Sequence, residues 1–379
     1  YMNFKPEKKL GFGLMRLPHM DPQNPADIDI EQVKKMVDIF MQRGFTYFDT
    51  AWMYNDFASE CAVKTCLSDR YPRENYTLAT KLHAAFYNTM EERDEIFFKQ
   101  LEKCGVEYFD YYLIHGVGHG MLKHIDTFDV WNWLVQKKEV GLVRHIGFSF
   151  HDTPELLEEL LTKHPEMEFV QLQINYLDWE SEWINSRRCY EVCEKFGKPV
   201  IVMEPVKGGT LAKIPAEAEQ LFKDHDPSLS VPSYAIRFAA SLPNVMVVLS
   251  GMSNIEQVED NTSFMQDFEP LTEEEKALCF KAGDIINSQI TVPCTGCHYC
   301  TDGCPKHIAI PEYFSLYNED MRENLAEKGW TVNFTNYQEV AERHGKASDC
   351  IKCGQCESVC PQHLHIIDFL EDVSRHFEH

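Results

Sequence analysis

Eight of the fourteen cysteines fall into two runs of one spacing, Cys294-x-x-Cys297-x-x-Cys300-x-x-x-Cys304-Pro305 and Cys350-x-x-Cys353-x-x-Cys356-x-x-x-Cys360-Pro361. Three thiolates at these offsets can wrap one face of an iron–sulfur cubane while the loop backbone donates hydrogen bonds to its sulfurs. A fourth cysteine followed by proline points away and ligates the other cluster of a pair. The spacing therefore assigns Cys294, Cys297, Cys300 and Cys360 to one 4Fe–4S cluster, and Cys350, Cys353, Cys356 and Cys304 to a second. Zinc is the competing occupant of paired Cys-x-x-Cys motifs, but it requires neither the third and fourth cysteine at these offsets nor the proline. Cys61, Cys66, Cys104, Cys189, Cys193 and Cys279 lie on helical patterns, where burial as apolar thiols is the expectation.

A second group of chemistry-bearing residues lies upstream, each ending a short apolar run: Asp49, Lys81, His115, Ser149, Gln173 with Asn175, and Glu204. Alone, any of them could be a helix cap; together they describe a site. With Tyr54 they make chemical sense. A tyrosine with a pKa of about 10 is a poor acid at neutral pH, and an adjacent Lys81 ammonium is expected to favour the phenolate and lower that value. Asp49 can hold Lys81 charged and in place, and His115 can orient a substrate oxygen. The result is a proton donor to an oxygen that turns negative as hydride reaches a carbonyl carbon.

Such residues need a scaffold that brings strand ends together. Between Gly44 and Gly251 the apolar runs at 45–49, 77–81, 111–115, 145–149, 169–175, 199–204 and 245–250 read as strands. Amphipathic patterns separate them, such as 30–42 and 91–104. Strand, helix, strand in repetition predicts parallel βαβ units. Seven strands without a dinucleotide glycine fingerprint predict a closed (β/α)8 TIM barrel rather than an open sheet. In such a barrel the strand C-termini carry the chemistry. The eighth strand is expected between Gly209 and Ser233. A helix over 272–288, with Thr272 and Glu275 in capping-box spacing, should close a barrel domain spanning residues 1–290. The break at Val292-Pro293 then begins a small helical ferredoxin-like domain over residues 291–379.

Sixty acidic against thirty-six basic side chains give a formal charge of −24. That surface repels phosphate backbones and anionic lipid, so neither nucleic acid nor membrane is expected as a partner. No apolar run reaches membrane-spanning length, the N-terminus lacks a signal-peptide pattern, and the cysteine usage fits metal chemistry rather than disulfides. A cytoplasmic protein is the expectation.

The tail from Cys294 to Pro361 resembles the bacterial-type ferredoxin family. Its long insert, with helical patterns over 311–326 and 336–344, is similar to the α-helical ferredoxin modules fused to larger dehydrogenases, which implies passage of single electrons. The barrel, over about residues 9–265, resembles the aldo-keto reductase family. The residues that carry the likeness are Gly44–Tyr54 (GFTYFDTAWMY), Ala79–Lys81 (ATK), Tyr112–His115 (YLIH), His145–Ser149 (HIGFS) and Gln173–Tyr176 (QINY). The resemblance implies a catalytic tetrad of Tyr54, Lys81, Asp49 and His115, with Tyr54 as general acid. It implies cofactor contacts at Ser149, Gln173, Met203, Lys207, Gly251 and Gln257, with Ser149 and Gln173 on the nicotinamide carboxamide. It also assigns Met15 and Arg16 to an N-terminal hairpin closing the barrel bottom.

Some residues depart from the family pattern. Phe150 and His151 follow Ser149 where an asparagine is usual, Met203 stands where an aromatic ring commonly stacks on the nicotinamide, and Gly251 and Gln257 stand where cations meet the NADPH 2′-phosphate. Clusters move one electron and carbonyl reduction moves a hydride; a flavin handles both. The pocket ringed by Ser149, Gln173, Met203 and Gly251 is thus open to nicotinamide (NADH or NADPH) or a flavin.

The leading expectation is an iron–sulfur oxidoreductase that reduces a carbonyl or a carbonyl-conjugated double bond, or runs the reverse. A small-molecule substrate and a ferredoxin-like or flavoprotein electron partner would accompany it. The alternatives are an NAD(P)H-dependent carbonyl reductase whose clusters are structural or redox-sensing, and a non-catalytic electron carrier or redox sensor. Trp131 and Trp133 are expected to pack, while Trp179 and Trp183 are open to a pocket role. His119 and His124 are candidate substrate contacts.

Overall fold

Strands covered on both faces by other structure read as apolar runs, and eight of that kind close into one parallel barrel in the computed structural model, which describes residues 5–181, 184–322 and 331–378. They are β1 (Leu10–Gly13), β2 (Tyr47–Asp49), β3 (Thr77–His83), β4 (Phe109–Val117), β5 (Val143–Phe150), β6 (Phe169–Gln173), β7 (Val200–Met203) and β8 (Val245–Ser250). The seven predicted strands all form. The eighth is β1, which pairs Gly11 with Tyr47 of β2 and Leu10 with Val248 of β8. The expectation of a strand between Gly209 and Ser233 is therefore corrected: that stretch folds into the helix Ala216–His225. With glycine at two of its four positions, LGFG lacks the β-branched signal of a strand, and only barrel closure makes it one. The hairpin expected of Met15 and Arg16 at the barrel bottom is corrected as well, because the chain leaves β1 at the C-terminal mouth and both residues line the cavity there.

The lumen is filled by Tyr47, Tyr111, Phe169 and Leu249, with Tyr111 meeting Tyr47 and Phe169 edge-on at 5.3 and 5.2 Å. The outer helices start where the sequence places caps. Asp29, Thr89 and Thr153 accept from the backbone three residues on, and Thr272 with Glu275 forms the expected capping box at the head of the helix Glu273–Gln289. No helix among the described residues is long and apolar enough to cross a membrane.

The tail folds as two cysteine loops, each leading into a helix: Ile310–Arg322 after the first and Ile366–Phe377 after the second. The predicted helix over 311–326 begins there, and its last four residues lie outside the described residues. The predicted helix over 336–344 forms instead over Val332–Ala341. The sequence repeat is also a backbone repeat. Gly296 and Lys352, His298 and Gly354, and His307 and His363 occupy matching places in the two runs, and all six have φ between 51° and 76°. A small apolar core around Tyr313, Phe314, Tyr337, Leu370 and Phe377 holds the two halves together, with the Tyr337 and Phe377 rings stacked at 5.0 Å.

Candidate active site

Period-two alternation along parallel strands delivers side chains to the barrel mouth, where the predicted tetrad converges. Lys81, fully buried, donates to Asp49 Oδ1 at 2.5 Å and to the Thr50 carbonyl at 2.9 Å, and its ammonium sits 5.0 Å from the Tyr54 ring centre. The Tyr54 and His115 rings meet edge-on at 6.0 Å. His115 is aimed by an irregularity in the β4–β5 register between Ile114 and Val117, a place where a bulge commonly re-aims a functional side chain.

The electrostatics differ from the sequence expectation in one respect. Burial, followed by Tyr299, Asp49 and Glu204, pushes the Tyr54 phenol well above its ordinary value, and Arg16 alone opposes this. The expectation that Lys81 makes Tyr54 acidic is thus corrected: Asp49 takes up the ammonium's charge, and Tyr54 keeps its proton. Burial drives Asp49 up and Lys81 down, their contact opposing both shifts. Burial, then the Lys81 charge, lowers His115 well below 6.5 and keeps its imidazole neutral. Glu204, at φ 55° and with Oε2 buried and unpartnered, is raised by burial.

A cavity of about 540 Å³ lies over these residues, within the usual range for a ligand site. Tyr54, His115 and Asp49 form one part of its wall; Met203, Gly251 and Gln257 form another. Two of the remaining cofactor expectations, Ser149 and Lys207, are corrected. Ser149 does not line the cavity, because its hydroxyl accepts from the Gly116 N–H at 2.8 Å beside the bulge. Gln173 reaches the wall, but its amide is spent on Asp178 (2.8 Å) and on a reciprocal pair with Gln362 (3.0 and 2.8 Å). Lys207 is buried against Asp178 at 2.6 Å and Gln362 at 3.1 Å. Gln171, two residues before Gln173 and so on the same face, lines the cavity instead, with a buried Oε1 that lacks a partner. That orphan acceptor suits the N–H of a nicotinamide carboxamide, so the groove fits such a ring. Arg16 lies against Gly251, its Cδ 3.4 Å from where a Gly251 Cβ would stand, and Lys213 lines the same cavity as Ser253, Gln257 and Asn261.

A further part of the wall comes from the tail. Thr295, Cys297, Tyr299, Pro361 and Gln362 all face the cavity. Arg16 donates to the Thr295 carbonyl at 2.9 Å and lies 3.8 Å from Glu204. Gly208, at φ +63°, lies so close beneath that loop that a Cβ would be 2.3 Å from the Thr295 oxygen. The Tyr299 hydroxyl meets His115 Nε2 at 3.2 Å. Sequence reasoning missed Gln171, Tyr299 and Gln362. A period-two reading of β6 could have offered Gln171, but neither tail residue carries a signal of its own.

Each expected cysteine quartet rings its own cavity: Cys294, Cys297, Cys300 and Cys360 one, Cys304, Cys350, Cys353 and Cys356 the other. Among the described residues no three His, Cys, Asp or Glu side chains are grouped as ligands of a single metal ion. Burial pushes the thiols up, Cys297 to about 11 and Cys294 to about 12, so a cationic iron core would have to hold them as thiolates. Of the other cysteines, Cys61 is exposed and the rest are buried. Trp131 stacks on His164 at 4.1 Å and Trp133 meets Phe97, whereas Trp179 packs on Tyr190 and Phe238 away from the cavity. Trp183 lies outside the described residues. His124 bonds the Tyr87 carbonyl and exposed His119 pairs with Asp152, so neither faces the cavity.

Residues 9–283 match the Aldo/keto reductase family and residues 293–365 match a 4Fe-4S dicluster domain. An aldo-keto reductase of Mycolicibacterium vanbaalenii is 27% identical over 256 residues, covering 67% of this chain and 84% of that protein. An uncharacterized oxidoreductase of Schizosaccharomyces pombe is 24% identical over 265 residues, 67% of this chain and 80% of that one. Among solved structures, the aldo-keto reductase AKR11C1 from Bacillus halodurans superposes with a TM-score of 0.58 at 24% identity, covering 72% of this chain and 91% of that one. A Klebsiella pneumoniae aldo/keto reductase in complex with NADP and acetate gives 0.59 at 18% identity, covering 75% and 96%.

Proposed function

The chain belongs to the aldo/keto reductase family and carries a 4Fe-4S dicluster domain behind its barrel, and we propose that this oxidoreductase reduces a carbonyl, or a double bond conjugated to one, with Tyr54 as general acid and two clusters passing electrons. One observation carries the reading: Tyr54, His115 and Cys297 line the same cavity. A cluster bound through Cys294, Cys297, Cys300 and Cys360 would stand at the wall of the chemical site, while one bound through Cys304, Cys350, Cys353 and Cys356 would lie toward the surface, where Cys353 is exposed.

The chain's own residues supply the rest. Tyr54 retains its proton until an oxygen in the cavity becomes basic enough to take it. Asp49 fixes Lys81 beneath the ring, which places a positive charge on the path of the phenolate that forms. Neutral His115 does not compete for the proton. A nicotinamide, which in the Klebsiella protein is NADP, would occupy the groove of Met203, Gln171 and Gly251 and supply hydride in the second reading, where the clusters do not supply the electrons; Arg16 beside Gly251 and Lys213 in the same lining are the cations available to its phosphates.

Turnover of an aldehyde such as 4-nitrobenzaldehyde in oxygen-protected protein tests the reading. Reduced viologen alone should sustain turnover, and Tyr54→Phe should stop it with the cluster spectrum unchanged. Turnover that survives iron removal and needs only NAD(P)H would make the clusters structural instead. A yellow cofactor released on denaturation would put a flavin in the groove.

A further inference from the structure

His115 bonds a residue that the barrel does not own. Its Nε2 lies 3.2 Å from the hydroxyl of Tyr299, which stands between Cys297 and Cys300 in the first cysteine loop. The other ring nitrogen, Nδ1, is buried with no partner. A buried N–H without an acceptor is rarer than an unmet acceptor, so the proton belongs on Nε2, and His115 donates to the Tyr299 oxygen. That leaves the Tyr299 hydroxyl hydrogen to point elsewhere, and among the described residues no protein acceptor meets it. The Tyr54 hydroxyl is likewise without a protein partner. Both phenols line one cavity.

The contact also changes what an incoming carbonyl meets. In this structure the Nε2–H is committed to Tyr299, so a substrate oxygen at the mouth encounters two phenol donors and not a phenol and an imidazole. A carbonyl oxygen has two lone pairs, one for each. Resting on the carbonyl-reducing function proposed above, we infer that Tyr299 is a second catalytic phenol: with Tyr54 it holds the oxygen of the bound carbonyl compound, and the iron–sulfur domain thereby completes the active site. The loop is fixed well enough for this. Arg16 grips the Thr295 carbonyl, Gly208 lets the loop approach, and the buried Gln362–Gln173 pair anchors the second cysteine run on the same rim.

The test uses the full chain with its iron in place and no reductant. The probe is 4-(dimethylamino)cinnamaldehyde, whose visible band moves to longer wavelength as its carbonyl oxygen accepts hydrogen bonds. Wild-type protein should bind it with a red shift. Tyr299→Phe and Tyr54→Phe should each lose part of the shift and weaken binding about fivefold, the worth of one neutral hydrogen bond. Tyr299→His keeps a ring donor and should regain part of the shift, which also guards against a Phe variant that unseats the loop; iron content is measured on every sample. A Tyr299→Phe protein with wild-type shift and affinity, beside an impaired Tyr54→Phe, overturns the inference and leaves the carbonyl site standing. Wild-type behaviour in both variants removes the carbonyl site as well.

Discussion

At the scale of the residue, this site is governed by burial. Tyr54 is useful because it keeps its proton, not because Lys81 strips it, and the ammonium earns its place only once the phenol has given that proton away. Tyr54→Phe should therefore lower kcat by about 10²- to 10⁴-fold, the usual range for a lost proton donor, while iron content stays unchanged. Glu204 gives a second prediction with a definite sign. Its carboxyl is raised by burial, so the folded state binds a proton more tightly than the unfolded chain does. The stability this confers is complete below the ordinary Glu range and is lost as pH rises through the raised value. Glu204→Gln should accordingly raise Tm at pH 8 and bring little gain near pH 5, as differential scanning calorimetry at the two pH values would show. A loss of Tm at pH 8 would mean that the Arg16 contact, rather than burial, sets the charge.

The elements explain why those residues meet. Strand β4 runs to Val117 with a register break that aims His115, and β6 offers the cavity Gln171 and Gln173 on one face. The tail then claims Gln173 through Gln362, so depth along the strand separates a cavity residue from a docking residue. Docking itself is tightest at Gly208. A methyl group there would sit 2.3 Å from the Thr295 oxygen, and the left-handed backbone would cost a further 1–2 kcal/mol or about that in strain. Gly208→Ala should loosen the first cysteine loop without unfolding the barrel, and limited proteolysis should then cut within 291–309 faster than in the wild type. Wild-type protection would show that the loop can shift aside.

The whole molecule is two cores of unequal self-sufficiency. The barrel has a large one; the tail has a small cluster of apolar side chains and eight thiols, most of them at least partly buried. Domains so small commonly need a staple. Removing iron with a chelator under reducing conditions should therefore unfold residues 291–379 and leave the barrel folded. Far-UV circular dichroism should show a partial loss of helix, with a protease-resistant fragment ending near residue 290. A tail that stays resistant without iron would mean that its apolar core suffices.

Much of this was open to the sequence alone. The two cysteine quartets follow from spacing, because ligand geometry is local to each run and the crossing of the fourth cysteine is a property of the motif. Asp49, Lys81, His115 and seven strands follow from apolar runs that end in ionisable groups, while Tyr54 as their fourth member is what the family resemblance implies. Tertiary structure decided what depends on residues far apart in the chain. Closure turned LGFG into the eighth strand and carried Arg16 to the mouth. Depth in the barrel set Gln171 against Gln173, and Lys207 was drawn into a buried pair with Asp178. Above all, folding the tail onto the rim put Tyr299 against His115, 184 positions away in the chain. Spacing encodes contacts made within a loop or along one strand; contacts between separate elements depend on how those elements pack, and no local pattern records that.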